Sequence, residues 1–358
     1  MAAVAIHGTI WCGKAYNRRT LDTPTSQSTV WAISDGAAGN ERQVLALAQA
    51  MRLQPAVAQV PLRAPWSWFA PRLARGARLA LPREIREHLR EPWPALAIGC
   101  GRHAALLTRW LRRASGGRTF VVQILDPRID PAHFDLVIAP RHDELAGANV
   151  IQTLGSLNAI DEDWLAQGLA KFPNVMQLPQ PRTTLLLGGP RRGLGMNDTW
   201  FEDFLARVGA LVARDGGSLL ITSSRRTPQA WRAQVRERLR VDCRHFWDGA
   251  ADGENPYQGY LAAADRTVVT PDSVNMLSEA CATGKPVLTL LPDAARGRIP
   301  LLHAELRGQG WLHTLDPQMD FSTLPRPPPL RELGAVASKI WHAIESTRPQ
   351  LAVALAAD

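Results

Sequence analysis

The sequence predicts an α/β protein built from two doubly wound parallel sheets. Short continuous runs of Val, Ile and Leu alternate with helical patterns, as expected of strands that are buried on both faces of a parallel sheet. The alternation starts again after a proline-punctuated stretch at residues 172–183, which is typical of a linker. A chain of 358 residues also suits two domains of ~150 residues each.

In the first half, glycine-containing turns join the first two apolar runs to the helices that follow them. Strands are predicted at 29–34, 95–99, 119–125, 136–140 and 149–153, and helices at 41–51 and 104–114. In the second half, the same criteria predict strands at 185–189, 218–224, 244–248, 266–270 and 286–291, and helices at 198–214, 228–240, 257–264, 273–284 and 332–347.

This pattern predicts four segments in the chain. Residues 1–28 form a flexible N-terminal extension, and residues 29–178 form the first domain. Residues 179–324 form the second domain, and residues 325–358 hold a proline-rich segment and a final helix that packs back toward the first domain. The extension is a poor signal peptide, because its charge follows its apolar stretch.

Composition points to a cytoplasmic protein. The longest stretch without Asp, Glu, Lys or Arg is 16 residues, at 145–160, whereas a spanning helix needs ~20 mostly apolar residues. The four cysteines are far apart and form no CxxC, which argues against a disulfide framework or a zinc site and suits a reducing cytoplasm. A peripheral position on the inner face of the cytoplasmic membrane is compatible with the same data.

Basic charge is concentrated in one stretch of the chain. The whole sequence has 41 basic and 33 acidic residues, but residues 63–118 alone hold 12 Arg and three Glu, a net charge of +9. Such a stretch suits an acidic partner, such as phosphate, anionic lipid or nucleic acid. Nucleic acid is the weakest of these, because the aromatic spacing fits no known RNA or DNA platform.

Within this basic stretch, residues 64–82 show the pattern of an amphipathic helix. Apolar side chains recur at helical spacing, and Arg72, Arg75 and Arg78 lie on another stripe. The apolar set is Trp66, Phe69, Leu73, Ala77 and Leu81. The pattern fits a helix at a membrane interface, and equally a surface helix packed on its own domain.

Polar residues follow the strands of the first half, where doubly wound sheets place their ligands. Asp35, Asp126 and His142 lie at such positions. Asp35 also fits a plain turn, Asp126 is projected toward the cleft by Pro127, and His142 beside Asp143 could be a base, a phosphate contact or part of a surface pair. The glycine-rich turns beside them allow close backbone approach to a ligand, or simply tight βα turns. Their residues are Gly36, Gly39, Asn40, Gly101 and Arg102.

The stretch 267–292 predicts one compact βαβ unit. Asp272 or Ser273 caps its helix, whose N-terminus could hold a phosphate. Glu279 lies under two turns into that helix, where a carboxylate suits a ribose diol; the alternative is a solvent-facing Glu. Glycine, serine and arginine after the first two strands of this half could bind a diphosphate or cap a helix. These residues are Gly188, Gly189, Ser223, Ser224 and Arg225.

The segment 273–292 resembles the donor-site motif of GT-B glycosyltransferases, with a serine turn, a helix that carries Ser-Glu-Ala, and Gly-x-Pro before a strand. The wider chain resembles the mitochondrial-fission ("elongated mitochondria") family and its bacterial members. The matching stretches are 31–43, 99–107, 122–130, 134–145, 185–190 and 254–280. This resemblance implies a GT-B fold, in which two Rossmann-like doubly wound parallel-sheet domains face a cleft.

The resemblance also implies a function. Bacterial members are generally regarded as glycosyltransferases of undefined substrate, and plant members are named for a role in organelle division. The implied reaction moves a sugar from a nucleotide-sugar to a hydroxyl acceptor that is part of the cell envelope or linked to a lipid. Asp35, Asp126 or His142 would deprotonate the acceptor in the first domain. The implied donor residues are Gly188, Gly189, Ser223, Ser224, Arg225, Asp272, Ser273, Asn275, Met276 and Glu279.

Two absences refine the expected chemistry. No DxD motif follows a strand at a suitable place, which favours a metal-independent reaction without a cofactor beyond the nucleotide-sugar substrate. The residue eight before Glu279 is Pro271, so the Glu-x7-Glu pair of many retaining GT-B enzymes is absent and inversion is favoured. Two alternatives remain: a non-catalytic, membrane-associated interaction protein on the same fold, and a UDP-sugar epimerase, for which no clear catalytic His/Glu set is found.

Overall fold

The structure, a computed structural model, describes residues 29–81, 83–324 and 326–357. The predicted N-terminal extension, residues 1–28, lies outside the described residues. The described strands form two six-stranded sheets. The first sheet holds β1 (Val30–Ser34), β2 (Ala56–Gln59), β3 (Leu96–Cys100), β4 (Phe120–Ile124), β5 (Leu136–Pro140) and β6 (Val150–Thr153). The second holds β7 (Arg182–Leu187), β8 (Ser218–Ser223), β9 (Cys243–Trp247), β10 (Arg266–Val269), β11 (Val287–Thr289) and β12 (Leu312–Thr314).

Helices connect and flank the strands. The α-helices are α1 (Ala38–Ala50), α2 (Trp66–Phe69), α3 (Arg83–His88), α4 (Arg102–Ala114), α5 (Glu162–Lys171), α6 (Asp198–Asp215), α7 (Gln229–Arg238), α8 (Tyr257–Ala263), α9 (Val274–Cys281), α10 (Arg298–Gly308), α11 (Leu333–Thr347) and α12 (Pro349–Ala356). Short 3₁₀ segments lie at Ala77–Ala80, Pro131–His133, Arg141–Asp143, Pro173–Gln177, Ala250–Asp252 and Phe321–Thr323.

Both sheets are doubly wound, as predicted. The first has the strand order β2-β1-β3-β4-β5-β6 and the second β12-β11-β10-β7-β8-β9, with all neighbouring strands parallel. The direction of winding reverses between β1 and β3 and between β7 and β10. Crevices outside the carboxyl ends of such strand pairs are where doubly wound sheets bind ligands. The fold therefore places two candidate binding edges, one on each sheet.

Each sheet is buried on both faces, which explains the continuous apolar runs in the sequence. In β1, Trp31 and Ile33 join the core on one face, while Val30 and Ala32 join the core on the other. In β7, Leu185 and Leu187 lie on one face and Leu186 on the opposite face. Alternate residues of a strand point to opposite faces, so both sets must be apolar here.

The segment between the two sheets packs on the second sheet. Leu154, Ile160 and Trp164 join the core that contains Leu186 and Leu261. Helix α5 lies against α8, and a methyl group built on Gly168 would come within 2.8 Å of the Gln258 carbonyl oxygen. Helix α5 and these residues therefore pack with the second sheet, whereas Leu157 packs in the core of the first. They precede the predicted boundary at residue 178, which stays a prediction.

The C-terminal helices return to the first sheet. Val336, Ile340 and Ile344 of α11 and Leu355 of α12 are buried in the same core as Val30. The chain thus crosses between the sheets twice, near residues 154–156 and near residues 330–332. The Glu332 carboxylate joins the two crossings, because it accepts hydrogen bonds from the backbone N–H groups of Leu154 (2.9 Å) and Gly155 (3.2 Å).

The predicted amphipathic helix over 64–82 is wrong. Over residues 64–81, the described part of this stretch, the backbone forms only the four-residue α2 and the 3₁₀ turn Ala77–Ala80, separated by Pro71 and by Gly76 with φ +68°. Pro71 lacks an N–H donor, and the left-handed conformation at Gly76 cannot continue a helix. The apolar spacing in the sequence reflects two separate turns: Ala77 and Leu81 are buried, while Phe69 is 57% exposed.

Candidate functional site

The turn after β1 holds Asp35 at the point where the first sheet reverses its winding. Its carboxylate accepts a hydrogen bond from the Ala37 N–H (3.0 Å) and from Asn40 Nδ2 (3.0 and 3.1 Å to the two oxygens). Gly36 has φ +84°, a conformation that glycine adopts readily. Asp35 is partly exposed and, among the described residues, makes no ion pair. Asp35 is therefore a carboxylate that hydrogen bonds hold in place at this edge and that has no cationic partner among the described residues.

The turn after β3 lies directly beside Asp35. A methyl group built on Gly101 would approach Asn40 Nδ2 to 2.7 Å and Asp35 Oδ2 to 3.3 Å, so the glycine lets the two turns meet. Arg102 does not face this contact: its Nη2 donates to the Ser67 carbonyl oxygen at 3.0 Å. Among the predicted acceptor-side residues, Asn40 and Gly101 therefore lie beside Asp35. Arg102 instead binds the backbone of the segment that contains Ser67.

The turn after β10 meets the turn after β7 at the equivalent point of the second sheet. Asp272 is fully buried, contrary to the prediction that it contacts a nucleotide. It accepts hydrogen bonds from Thr270 Oγ1 (2.8 Å) and the Gly189 N–H (3.2 Å), and it pairs with Arg226. A methyl group on Gly188 would lie 2.2 Å from Asp272 Oδ1, so this glycine makes room for the carboxylate.

The serines after β8 are also used within the protein. Ser223 Oγ donates to Asp248 Oδ1 at 2.8 Å. Ser224 Oγ lies 3.1 Å from Thr227 Oγ1 and accepts from the Arg226 N–H at 3.2 Å. These contacts form the hydroxyl-capped turn that was the alternative to a phosphate clamp. Arg225 is exposed beside them, as a diphosphate contact would require.

Helix α9 begins at this edge, and its N-terminus faces the first sheet. Ser273 caps it by accepting from the Met276 N–H at 3.3 Å, as predicted. Asn275 extends across the cleft, since a methyl group on Gly39 of α1 would lie 2.2 Å from Asn275 Nδ2. The N-terminus of α9, the proposed phosphate position, therefore faces the turn that carries Asp35.

Glu279 is buried, not solvent-facing. It is 7% exposed, and its carboxylate accepts a hydrogen bond from the Tyr257 hydroxyl and pairs with Arg42 Nη1 of α1 at 3.2 Å. Burial and the Glu279 charge raise the pKa of Tyr257 well above its ordinary value, so the phenol stays a donor. The Glu279 charge raises the pKa of Arg42. Two donors from different sheets thus meet on one carboxylate.

A second ion-pair cluster crosses the cleft in the opposite sense. Arg298 is the first residue of α10, and its Nη1 donates to Asp126 Oδ2 (3.0 Å) and Asp143 Oδ1 (2.8 Å) of the first domain. His142 lies beside them, 6% exposed, with no hydrogen-bond partner for Nδ1. Burial lowers the pKa of His142, and the Arg298 and Arg191 charges lower it further, against the raising effect of Asp143. Asp126 is therefore already held in an ion pair, and His142 is neutral at neutral pH.

Two tyrosines lie near the site in different surroundings. The Tyr257 hydroxyl donates to Glu279, whereas Tyr260 is 7% exposed in a small core with Leu220. Of the two, only Tyr257 lies at the carboxylate that the sequence assigns to the ribose.

Sequence reasoning missed the residues that cross the cleft, Arg42 and Arg298. Arg42 follows Gly39 by three residues, so both lie on the same face of α1 at the sheet edge; that spacing was the available signal. Arg298 begins a helix that was not predicted, and nothing in the sequence indicates its partners. His303 was also missed: it is fully buried on α10, and its Nε2 lies 3.0 Å from the Pro271 carbonyl oxygen.

Two facing sheets of this kind, each with a turn and a helix N-terminus at its reversal point, define a GT-B protein, the class that includes nucleotide-sugar glycosyltransferases and epimerases. More particularly, the chain belongs to the family described as Mitochondrial fission ELM1, whose model matches residues 38–344. The earlier resemblance to this family and the predicted GT-B fold are both confirmed.

A curated relative and two solved structures place the chain further. It is 29% identical to the mitochondrial fission protein ELM1 of Arabidopsis thaliana over 280 residues, 71% of this chain and 65% of that protein's length. It resembles the UDP-GlcNAc 2-epimerase of Neisseria meningitidis bound to UDP-GlcNAc, with a TM-score of 0.57, 11% identity, and coverage of 89% of this chain and all of that one. The glycosyltransferase of kitacinnamycin gives a TM-score of 0.51, 13% identity, and coverage of 92% and 93%.

No helix in the described part of the chain combines the length and the apolar character that crossing a bilayer requires.

Proposed function

We propose that the protein transfers a sugar from a nucleotide-sugar to an acceptor hydroxyl that is part of the cell envelope or linked to a lipid. The family and the GT-B fold support the class of reaction. The observation that carries the proposal is Glu279: a carboxylate on α9, buried within two turns of the N-terminus that faces the cleft. It already accepts from two donors, Tyr257 and Arg42, as it would accept from the two hydroxyls of a ribose.

In this proposal, the donor occupies the second sheet's edge. The ribose hydroxyls replace Arg42 on Glu279, and the diphosphate lies at the N-terminus of α9, near Ser273, with Arg225 and Arg191 adding positive charge. The helix N–H groups and guanidinium groups would stabilise the charge on the departing diphosphate without a metal ion. Asp272, being buried, orders the turn and does not touch the donor.

Asp35 acts as the base in this proposal. Its carboxylate is partly exposed at the facing edge of the first sheet and is held by Asn40. Asp126 is a weaker candidate because Arg298 already occupies it. The lowered pKa of His142 leaves its imidazole free to accept a proton at neutral pH, but the side chain is buried. Attack of the activated hydroxyl opposite the diphosphate would invert the anomeric carbon.

Calorimetry with nucleoside diphosphates tests the role of Glu279. We expect wild type to bind a ribonucleoside diphosphate more tightly than its 2′-deoxy form. Glu279→Ala should bind the ribonucleotide ~10-fold more weakly and lose the discrimination, because a hydrogen bond to a charged group is worth ~1.5–3 kcal/mol. Glu279→Gln, which keeps an acceptor for Tyr257, should lose less.

Glu237→Gln is the matched control, since Glu237 is exposed on α7, away from the cleft. It should bind both nucleotides as wild type does. Equal binding of ribo- and deoxynucleotides by wild type would contradict the proposal, and so would an undiminished affinity in Glu279→Ala.

A UDP-sugar epimerase is the second candidate, because the Neisseria epimerase matches the fold with a TM-score of 0.57. An epimerase forms an isomeric nucleotide-sugar without an acceptor, whereas a transferase releases the nucleoside diphosphate. Proton NMR of the protein with UDP-GlcNAc distinguishes the two reactions. The ion pairs that fill the cleft are the observation in support of a third candidate, a non-catalytic interaction protein. Such a protein would produce neither product and would show no nucleotide-dependent thermal stabilisation.

A further inference from the structure

Exposed apolar side chains are concentrated in one short segment of the first domain. Trp68 is 71% exposed, Phe69 57% and Leu79 65%; these are three of the six large exposed apolar residues in the described part of the chain. Four exposed arginines share the segment. We call these seven residues the docking face: Arg63, Trp68, Phe69, Arg72, Arg75, Arg78 and Leu79.

Backbone contacts bring the two ends of this segment together. The Arg63 N–H donates to the Ala80 carbonyl oxygen at 3.3 Å, which places Arg63 near Leu79. Trp66 Nε1 donates to the Arg75 carbonyl oxygen at 3.0 Å, which places the turn of Trp68 beside Arg75. The apolar and basic side chains of the docking face therefore share one surface.

The segment is fixed to the domain beneath it. Leu62, Ala70, Ala77, Ala80 and Leu81 are buried in the first core. From α4, Arg102 donates to the Ser67 carbonyl oxygen (3.0 Å) and Arg109 to that of Pro71 (3.3 Å). Because the backbone is held on both sides, the exposure of Trp68 and Phe69 belongs to the folded arrangement and does not come from a detached loop.

The charge on the docking face is unbalanced. No Asp or Glu occurs between residues 61 and 83. None of Arg63, Arg72, Arg75 and Arg78 forms an ion pair among residues that the structure describes, although many other arginines of the chain do. An apolar tip surrounded by unpaired cations lacks complementarity to an ordinary protein surface and matches an anionic lipid interface.

We propose that the docking face binds an anionic phospholipid bilayer. Trp68, Phe69 and Leu79 would insert at the level of the headgroups, where tryptophan is favoured because its ring is apolar and its N–H is polar. The arginines would attract the anionic headgroups over a distance of ~8–10 Å at physiological ionic strength. Membrane association then needs no amphipathic helix, only two short turns held at fixed positions.

The docking face is next to the candidate acceptor edge. Arg102, which donates to the Ser67 carbonyl oxygen, directly follows Gly101 in sequence. A methyl group built on Gly101 would lie 3.3 Å from Asp35 Oδ2. A bilayer bound at Trp68 and Phe69 would present a lipid-linked hydroxyl to the turn that carries Asp35. This acceptor class rests on the proposed function, whereas bilayer binding does not.

Vesicle flotation of the full chain without nucleotide tests the inference. We expect binding to vesicles of phosphatidylcholine with phosphatidylglycerol, little binding to phosphatidylcholine alone, and a ~10-fold loss when salt rises from ~0.05 to ~0.5 M. Trp68→Ser combined with Phe69→Ser should abolish binding, and so should Arg72→Gln combined with Arg75→Gln and Arg78→Gln. Circular dichroism and nucleotide calorimetry should match wild type in both variants.

Two controls remove equivalent groups elsewhere. Met176→Ser with Val353→Ser removes exposed apolar side chains, and Arg238→Gln with Arg240→Gln and Arg326→Gln removes the same charge. Both should bind vesicles as wild type does. If the arginine control loses as much vesicle binding as the docking-face variant, net charge alone explains the binding and the inference is overturned. If wild type does not bind vesicles, the inference is also overturned, and the face would suit a protein partner. Neither outcome depends on whether the protein binds nucleotides.

Discussion

At the scale of single residues, Asp35 differs from the other two candidate bases in what already contacts it. Asn40 holds both of its oxygens, but among described residues no cation pairs with it. Asp126, by contrast, is shared between Arg298 and Arg128, and His142 is buried. A base must be able to take a proton from a hydroxyl that reaches it, and Asp35 best meets that requirement.

Asp35→Asn should lower the rate of nucleoside diphosphate release from a nucleotide-sugar by ~100-fold or more, because the amide cannot accept a proton. The donor dissociation constant should stay unchanged, since Asp35 lies on the first sheet. Water replaces the unidentified acceptor in this assay. Asp126→Asn is the comparison and should have a smaller effect. If Asp126→Asn is the slower variant, the base is Asp126 and the assignment of Asp35 is wrong.

At the scale of elements, α10 supports the donor edge from beneath. His303 is fully buried there and donates from Nε2 to the Pro271 carbonyl oxygen, in the turn that leads to α9. The carbonyl can only accept, so Nε2 carries the proton. Burial lowers the pKa of His303 to about 4. The imidazole therefore stays neutral in the folded protein at pH values where it is protonated in the unfolded chain.

This pKa predicts a pH dependence of stability. Above pH ~6.5 the histidine is neutral in both states and contributes no slope. Between pH ~6.5 and ~4 the unfolded state binds more protons, so acidification should remove about 3 kcal/mol from the free energy of unfolding. Urea denaturation of His303→Gln should lack this loss. His342→Gln, at an exposed position, should keep it; an identical slope in both variants would refute the assignment.

Three of the elements that sequence analysis missed have identifiable physical reasons. β2 and β12 are edge strands of four and three residues, so they carry little of the apolar signal that marks a central strand. α10 contains Pro300, which in a sequence indicates a break but is tolerated in the first turn of a helix. The central strands, by contrast, are buried on both faces, and all of them were predicted.

The candidate site was predictable only in part, for a different reason. Positions after strands place Asp35, Gly101, Gly188 and Ser273 at the reversal points, and this follows from local pattern and topology. Whether a polar residue faces the cleft or the protein does not follow. Asp272 is fully buried because it meets Arg226 and Gly189, contacts between residues far apart in sequence.

At the scale of the whole molecule, two arginines, one from each half, form ion pairs across the cleft and hold it closed. Arg42 of the first sheet's α1 reaches Glu279, and Arg298 of the second sheet's α10 reaches Asp126 and Asp143. Each pair occupies a carboxylate that the proposed reaction uses or adjoins. In the proposed reaction, the donor would have to displace at least Arg42. Its apparent affinity would then fall in proportion to the fraction of protein that is open and able to bind.

Arg298→Gln should raise the affinity for a nucleoside diphosphate by ~3-fold, because it weakens the closed state without touching Glu279. Small-angle scattering should show a larger radius of gyration than that of wild type. Arg296→Gln is the matched control: within the described part of the chain, the Arg296 side chain donates to backbone carbonyls of its own loop, and its replacement should change neither quantity. A weaker affinity in Arg298→Gln would instead make Arg298 a ligand of the diphosphate.

The two chain crossings joined by Glu332 have a mechanical consequence. Two backbone crossings fastened at one point act as a single pivot. Once the ion pairs across the cleft are released, the two halves would rotate about that axis but would not slide apart. Ser278 Oγ accepts from the Ser156 N–H of the first crossing at 2.9 Å, and Ser278 adjoins Glu279. In helix α9, the residue that contacts the first crossing and the carboxylate proposed to bind the ribose are therefore neighbours in sequence. A small rotation of Glu279 on nucleotide binding would therefore move Ser278 and the first crossing that it contacts.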